Sequence, residues 1–246
     1  MSIETSPETT IVPAVYRDDV TVELMDFMGT EESIVRAARV STKGAESRGT
    51  MANKGLLRYL YRESHGVPFE SVVMTFYIEA PIVTTRQILK HRISSINEES
   101  GRYKELAGVF YLPKDERKLI QIGKTGDYVF EPGNEDQIEI FRGMLKSTCE
   151  AGWYNYNAAI QHLNIAKEVA RFLLPISILY SSLYFTANLR SVLNFLSLRK
   201  DWGENAVHQS KAQYEVEMVA IAMSEIVKEK FPTVWEMFEA SGYQPV

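Results

Sequence analysis

Residues Ser71–Glu79 read S-V-V-M-T-F-Y-I-E, an alternation that puts Val72, Met74, Phe76 and Ile78 on one face of an extended segment. β-Branched and aromatic side chains fill it, so it predicts a half-buried strand. A strand with one apolar face needs neighbouring strands and a covering layer, which excludes a purely helical chain. Pro81 follows in a position that a helix tolerates as its first residue, and the spacing predicts a helix over 82–92 on which Gln87 and His91 share a face. Ser33 is expected to cap a helix through Ile34, Ala37 and Ala38. Another helix is expected over Thr186–Leu198, where Leu189, Val192, Leu193 and Leu196 form the apolar stripe and Arg190, Asn194 and Ser197 the polar one. Helical spacing also covers Gln137–Glu150, Val169–Leu174 up to Pro175, and about Ser210–Lys230. The apolar run Ile176–Tyr180 argues for a further strand. The expected fold class is therefore α/β (α+β), a mixed central sheet flanked by helices. No internal period stands out, and the connector Lys114–Asp136 is too short to mark a boundary, so one domain over 1–246 is expected, with 1–19 a loose N-terminal extension.

Composition narrows the function. Of 246 residues, 45% are hydrophobic and 24% charged, the balance of a soluble globular chain with a sizeable core. A net charge of −5 without a lysine-rich tract speaks against a nucleic-acid partner and points to small anions held in a local basic pocket. Neither a secretory leader nor an apolar run of about 20 residues occurs, so a cytoplasmic protein with no membrane partner is expected. The single cysteine, Cys149, has no CxxC or Cys/His pattern around it and is expected to pack in a helix. The sequence contains no HExxH, EF-hand, GxGxxG or Walker pattern, so no metal is expected, nor a Rossmann or P-loop site.

The densest polar cluster runs from Arg86 to Tyr103, with Gln87, Lys90, His91, Arg92, Glu98, Ser100, Gly101 and Arg102. Composition favours anion binding there over a solvated helix end, because Arg offers a planar donor fork for phosphate and Gly101 permits close backbone approach. A second cluster, Asn188, Arg190, Asn194 and Arg199 with Arg171 earlier in the chain, can read a heterocycle edge or a ribose, although a solvated outer face is the reading the residues favour. His65 reads as an ordinary loop histidine; His162 and His208 have no convincing partners.

Lys90-His91-Arg92, seven residues and then Ser100 resemble the signature of flavin-dependent thymidylate synthases, Arg-His-Arg, seven residues, Ser. Further pieces resemble that family in order: Val35–Ser41, His65–Glu70, Asn97–Tyr103, Val169–Pro175, Asn188–Ser191, Asn194–Arg199 and Ala212–Glu215. The resemblance implies methylation of dUMP to dTMP, with methylenetetrahydrofolate as carbon donor and FAD, reduced by NADPH, as hydride carrier, and without a cysteine nucleophile. It implies a cytoplasmic homotetramer with sites shared between subunits. Carried over, Arg199 is the catalytic residue, lying against the pyrimidine and favouring its N3-ionised form. Gln87, Lys90, Glu98, Ser100, Gly101, Arg102 and Arg171 would join it in holding dUMP. Ser41, His65, Lys90, His91, Arg92, Glu98, Asn188, Arg190 and Asn194 would hold FAD. Alternatives on the same scaffold are hydroxymethylation of dUMP and a non-catalytic flavin- or nucleotide-binding homologue. The chain departs from the pattern at Lys90, which keeps the charge of the first signature Arg but loses its fork, at the longer connector Lys200–Lys211, and by one extra residue in Pro175–Tyr180.

Overall fold

The structure is a computed structural model that describes residues 12–49, 53–124 and 127–246. In chain order the elements are β1 (Val15–Arg17), β2 (Thr21–Met28), α1 (Glu31–Lys43), α2 (Lys54–Arg62), β3 (Val73–Pro81), α3 (Ile82–Ile88), β4 (Ser95–Glu98) and β5 (Val109–Tyr111). There follow β6 (Ile120–Lys124), β7 (Asp127–Glu131), α4 (Glu135–Gln161), α5 (Lys167–Ala170), β8 (Tyr180–Asn188), α6 (Leu189–Arg199), α7 (Tyr214–Lys230) and α8 (Pro232–Ala240). They form two compact units, one of residues 20–80, 84–98 and 181–246, the other of 12–19, 81–83 and 99–180.

The first unit is built on a four-stranded sheet in the order β2-β3-β8-β4. β2 pairs antiparallel with β3, with a bulge between Leu24 and Asp26, and β4 pairs antiparallel with β8 from Ser95↔Thr186 to Glu98↔Leu183. The alternation read at 71–79 is realised: Val72, Met74, Phe76 and Ile78 are fully buried. They pack in one core with residues of β8, α1, α2, α6, α7 and α8. The opposite face carries hydroxyls, with Thr75 bonded to Thr186 at 3.0 Å and Tyr77 to Ser182 at 2.9 Å. α6 is buried over most of its faces. Leu189, Val192, Leu193, Phe195 and Leu196 are fully buried and Ser191 nearly so; of the expected polar stripe Arg190 is exposed and Asn194 half-buried, and only Ser197 is buried instead.

Several boundaries move for identifiable reasons. Thr30, not Ser33, precedes α1; Ser33 is the third helical residue, and its Oγ accepts the Thr30 N–H at 3.0 Å. The helix expected to reach Arg92 stops at Ile88, with short i→i+3 bonds from Lys90 N and His91 N to Gln87 O and Ile88 O. Gln87 and His91 therefore do not share a helical face. Thr186–Asn188 belongs to β8, and Asn188 Oδ1 caps α6 by accepting the Ser191 N–H at 2.9 Å.

The second unit holds the parallel pair β1–β5, the antiparallel hairpin β6–β7 inside the connector Lys114–Asp136, and the 27-residue α4. Of the segment expected to be a loose extension, residues 1–11 lie outside the described residues and Val15–Arg17 form β1. α4 opens on a reciprocal Asn134–Gln137 capping box and extends well beyond Gln137–Glu150. Its core side chains Cys149, Trp153, Tyr156 and Ala159 meet Leu106, Phe110, Ala170, Leu174 and Leu179. In place of the helix expected over Val169–Leu174 there is one α-helical turn, α5, ending at Ala170, followed by a 3₁₀ turn from Arg171 to Leu173. That turn lies close against Gly152, where a Cβ would sit 2.8 Å from Leu173 O.

Candidate active site

His91 turns out of the truncated α3 into the core, 8% exposed, between Phe185 and Phe195 with ring centroids at 6.1 and 5.5 Å. Its Nε2 lies 2.7 Å from Ser191 Oγ, and that hydroxyl donates to Ile93 O at 2.6 Å. A hydroxyl has one proton, so Nε2 carries the hydrogen and Nδ1 the lone pair. Burial lowers the imidazole pKa; a hydrogen bond to the Ser191 backbone opposes this and the positive charge of Arg199 adds to it. The ring is thus neutral, and it ties the Lys90–Arg92 segment to α6, the helix that ends on Arg199. Glu98, at the end of β4, is fixed by two hydroxyls, Thr85 at 3.1 Å and Ser181 at 2.8 Å, both on Oε1.

The other expected flavin and dUMP ligands of this unit divide by how much of their donor capacity is committed. Arg190 Nε donates to Val246 O at 3.0 Å and its Nη1 to Glu70 Oε1 at 2.8 Å. Asn188 is half occupied as a cap, and Ser41 Oγ donates to Ala38 O at 2.9 Å on the exposed end of α1. His65 is exposed and edge-on to Tyr59 at 5.8 Å. The side chains of Gln87, Lys90, Arg92, Asn194 and Arg199 have no hydrogen-bond or ion-pair partner among the described residues. Lys90 and Arg92 are exposed, and Gln87, Asn194 and Arg199 half-buried.

In the other unit the expected phosphate ligands gather on one residue. Arg102 Nε donates to Glu168 Oε2 at 2.5 Å, and Arg171 Nε donates to Glu168 O at 3.1 Å. Ser100 Oγ accepts the Arg102 N–H at 3.3 Å, and buried Gly101 packs on Leu106. Two arginines from segments 69 residues apart in sequence thus bond to the same residue, Arg102 through its carboxylate and Arg171 through its main-chain oxygen.

Arg199 lines a cavity of about 250 Å³ with Ser197, Leu198 and residues 208–212 of the connector. His208, which spacing alone left without a role, shares that cavity. The signal for it was the connector's extra length, which says that something is added but not where it folds back. Cys149 stands apart: it is fully buried in α4, and burial, with Glu150 adding, pushes its thiol up to about 11.

Known proteins share this arrangement of elements. The family described as "Thymidylate synthase complementing protein" matches residues 23–233. The flavin-dependent thymidylate synthase of Tropheryma whipplei strain TW08/27 is 42% identical over 236 residues, covering 94% of this chain and 97% of that protein. The Streptomyces coelicolor protein of the same description is 40% identical over 232 residues, covering 92% of this chain and 93% of its own. A UMP/dUMP methylase, PolB from Streptomyces cacaoi, solved with 5-Br dUMP bound, aligns with a TM-score of 0.87 at 39% identity over 94% of this chain and 100% of that one. With 5-Br UMP bound the TM-score is 0.86, over 96% of this chain and 100% of that one. The fold is that of an enzyme family of methyltransferases. The chain belongs to the flavin-dependent thymidylate synthases.

Proposed function

We propose that the chain methylates dUMP to dTMP, with methylenetetrahydrofolate as carbon donor and FAD, reduced by NADPH, as hydride carrier, and with no cysteine nucleophile. The observation that carries the reading is Arg199: a guanidinium without a partner among the described residues, at the end of a buried helix, lining a small cavity. Set against a pyrimidine, a fixed cation shielded from water stabilises the N3 anion and so enriches C5, the carbon to be methylated. The inert, buried Cys149 is consistent with a route that needs no thiol.

In this reading Arg102 and Arg171 bind the nucleotide phosphate, Arg102 exchanging the Glu168 carboxylate for it, while Gln87, Lys90, Ser100 and Gly101 complete the dUMP contacts. Ser100 positions and does not attack. Glu98, held by Thr85 and Ser181, borders both nucleotide and flavin. The donor set fits a flavin dinucleotide: among the described residues Lys90 and Arg92 have uncommitted cations to offer its diphosphate, and Asn194 an uncommitted amide for a heterocycle edge. Asn188 retains its NH₂ group, Arg190 its Nη2 and His91 its Nδ1 lone pair, and Ser41 and His65 contribute from exposed positions. When bound, the flavin supplies the hydride that completes the methyl group. The chain acts as one functional domain over 1–246 in a cytoplasmic homotetramer whose subunits share sites, so the two donor sets need not meet within one chain.

Anaerobic incubation with FAD, NADPH, methylenetetrahydrofolate and dUMP, followed by mass analysis of the nucleotide, tests the reading. dTMP is expected. Hydroxymethyl-dUMP would move the chemistry to water addition, and unchanged dUMP beside a bound, reducible flavin would make the chain a binding homologue. Arg199→Ala should lose about 100-fold or more in turnover with the flavin spectrum retained. A second reading, that UMP is methylated as well, rests on the likeness to the UMP/dUMP methylase structures, and the same assay with UMP decides it.

A further inference from the structure

The connector between α6 and α7 returns twice to the helix end that bears Arg199. A last helical turn leaves its carbonyls without intrahelical partners. Trp202 Nε1 donates to Leu196 O at 3.1 Å, alongside Lys200 N at 3.2 Å, and Ser210 Oγ donates to Leu198 O at 2.7 Å. Side chains of the connector thus cap carbonyls in the turn that carries Arg199, and residues 208–212 then wall its cavity.

Trp202 is itself clamped. Tyr243 lies parallel to the indole, with centroids 4.0 Å apart and 13° between planes, and Lys200 Nζ is 4.0 Å from the same ring centroid. Two groups at that distance occupy opposite faces. Trp235 and Phe238 close the edges at 5.7 and 5.6 Å. The stack requires an uncommon backbone: Gly242 and Tyr243 take φ of 68° and 59° in succession, and a tyrosine disfavours that region. The connector lies directly on this turn, because Val207 N donates to Gly242 O at 3.0 Å and a Cβ on Gly242 would fall 2.9 Å from Asn205 O. Asp201 N is tied to Glu217 Oε1 of α7 at 2.8 Å.

We infer that Trp202 is a positioning residue for Arg199: held between Tyr243 and Lys200, the indole fixes the end of α6 and directs the connector back to wall the Arg199 cavity. The inference rests on the reading that Arg199 faces the pyrimidine. Backbone strain at Tyr243 persists because the surrounding packing over-determines it, as expected where geometry serves a site.

Trp202→Ala, Trp202→Phe, Tyr243→Ala and Arg199→Ala are compared as full chains by steady-state kinetics, dUMP titration and FAD titration. A displacement of the guanidinium of about 1 Å is enough to cost about tenfold or more in turnover. Trp202→Ala is expected to lose that much in kcat and to bind dUMP about tenfold more weakly, with FAD affinity kept within about twofold. Trp202→Phe, which keeps the stack, is expected to recover most of the loss, and Tyr243→Ala to fall between. Wild-type kcat and dUMP affinity in a folded Trp202→Ala overturn the inference, as does a parallel loss of FAD affinity, the mark of general structural damage. If Trp202→Ala fails to fold, Tyr243→Ala decides by the same criteria. An inactive Arg199→Ala beside a fully active Trp202→Ala removes only the positioning role; wild-type turnover in Arg199→Ala removes the function reading on which it rests.

Discussion

Replacing Ser191 with alanine removes one oxygen from the core and disturbs two groups at once. The His91 Nε2–H loses its acceptor at 2.7 Å inside a ring cage of Phe185 and Phe195, and Ile93 O loses a donor at 2.6 Å. Stranding the buried donor costs about 1–3 kcal/mol and losing the second bond about 1 kcal/mol. Alanine returns about 0.5 kcal/mol through its better helix propensity. The net expectation is a loss of roughly 1.5–3.5 kcal/mol. The assay is urea unfolding of flavin-free protein at one fixed concentration, followed by the fluorescence of Trp202 and Trp235, which lie in the same unit. The midpoint should fall with the slope unchanged. A companion His91→Phe in the same background replaces both partners by apolar groups and should recover part of the loss, giving a coupling energy of about 1 kcal/mol or more. A Ser191→Ala change under about 0.5 kcal/mol, or additive single variants, would refute the buried histidine–serine pair as a structural tie.

The same histidine sets a pH dependence. Its folded pKa lies below the ordinary 6.5, so below about that pH the unfolded chain takes a proton that the native one refuses. Stability should therefore be full above about pH 6.5 and decline on acidification by at most about 1.4 kcal/mol per pH unit from this group. Comparing wild type with His91→Phe should show that part of the slope vanish; equal slopes would mean that His91 titrates normally. Gly152→Ala forces a Cβ to 2.8 Å from Leu173 O and 2.9 Å from Pro175 Cδ, so about 1–3 kcal/mol of stability should be lost and the KM for dUMP should rise, since Arg171 opens that turn. An unchanged KM would separate that turn from nucleotide binding. Cys149→Ala should keep turnover within about twofold, and iodoacetamide should leave the native thiol unmodified; turnover lost with ligand binding intact would return the thiol to the reaction.

The strand at 73–81 was legible because alternation reports directly on burial: each residue of its inward face is buried in the structure. The order of the family motifs was legible too, since residue identity and spacing survive in the chain whatever the fold does with them. The length of α3 was not. Local spacing supports four more helical residues, but burying the His91 ring against Phe185, Phe195 and Ser191 outweighs them. The polar stripe of α6 was legible at Arg190 and Asn194 but not at Ser197, because period cannot tell water from a neighbouring core; only the packed sheet and helices show Ser197 buried. The connector is the sharpest case. From the sequence it was only a connector, Lys200–Lys211, longer than the family pattern, whereas in the fold Trp202 and Ser210 cap the turn bearing Arg199 and His208 walls the same cavity.

The sequence by itself determined which chemistry-bearing residues are present, their order, the inward face of the central strand and the family to which they belong. Tertiary structure decided which of those donors are committed and which stay available. Arg190 is spent on Glu70 and Val246 O, and Arg102 on Glu168, while Lys90, Arg92 and Arg199 remain without partners among the described residues. The physical reason is range. Propensity and periodicity act over a few residues, but the bonds that commit or release a side chain here join positions 56 to 120 residues apart, and only folding brings such positions within hydrogen-bond distance.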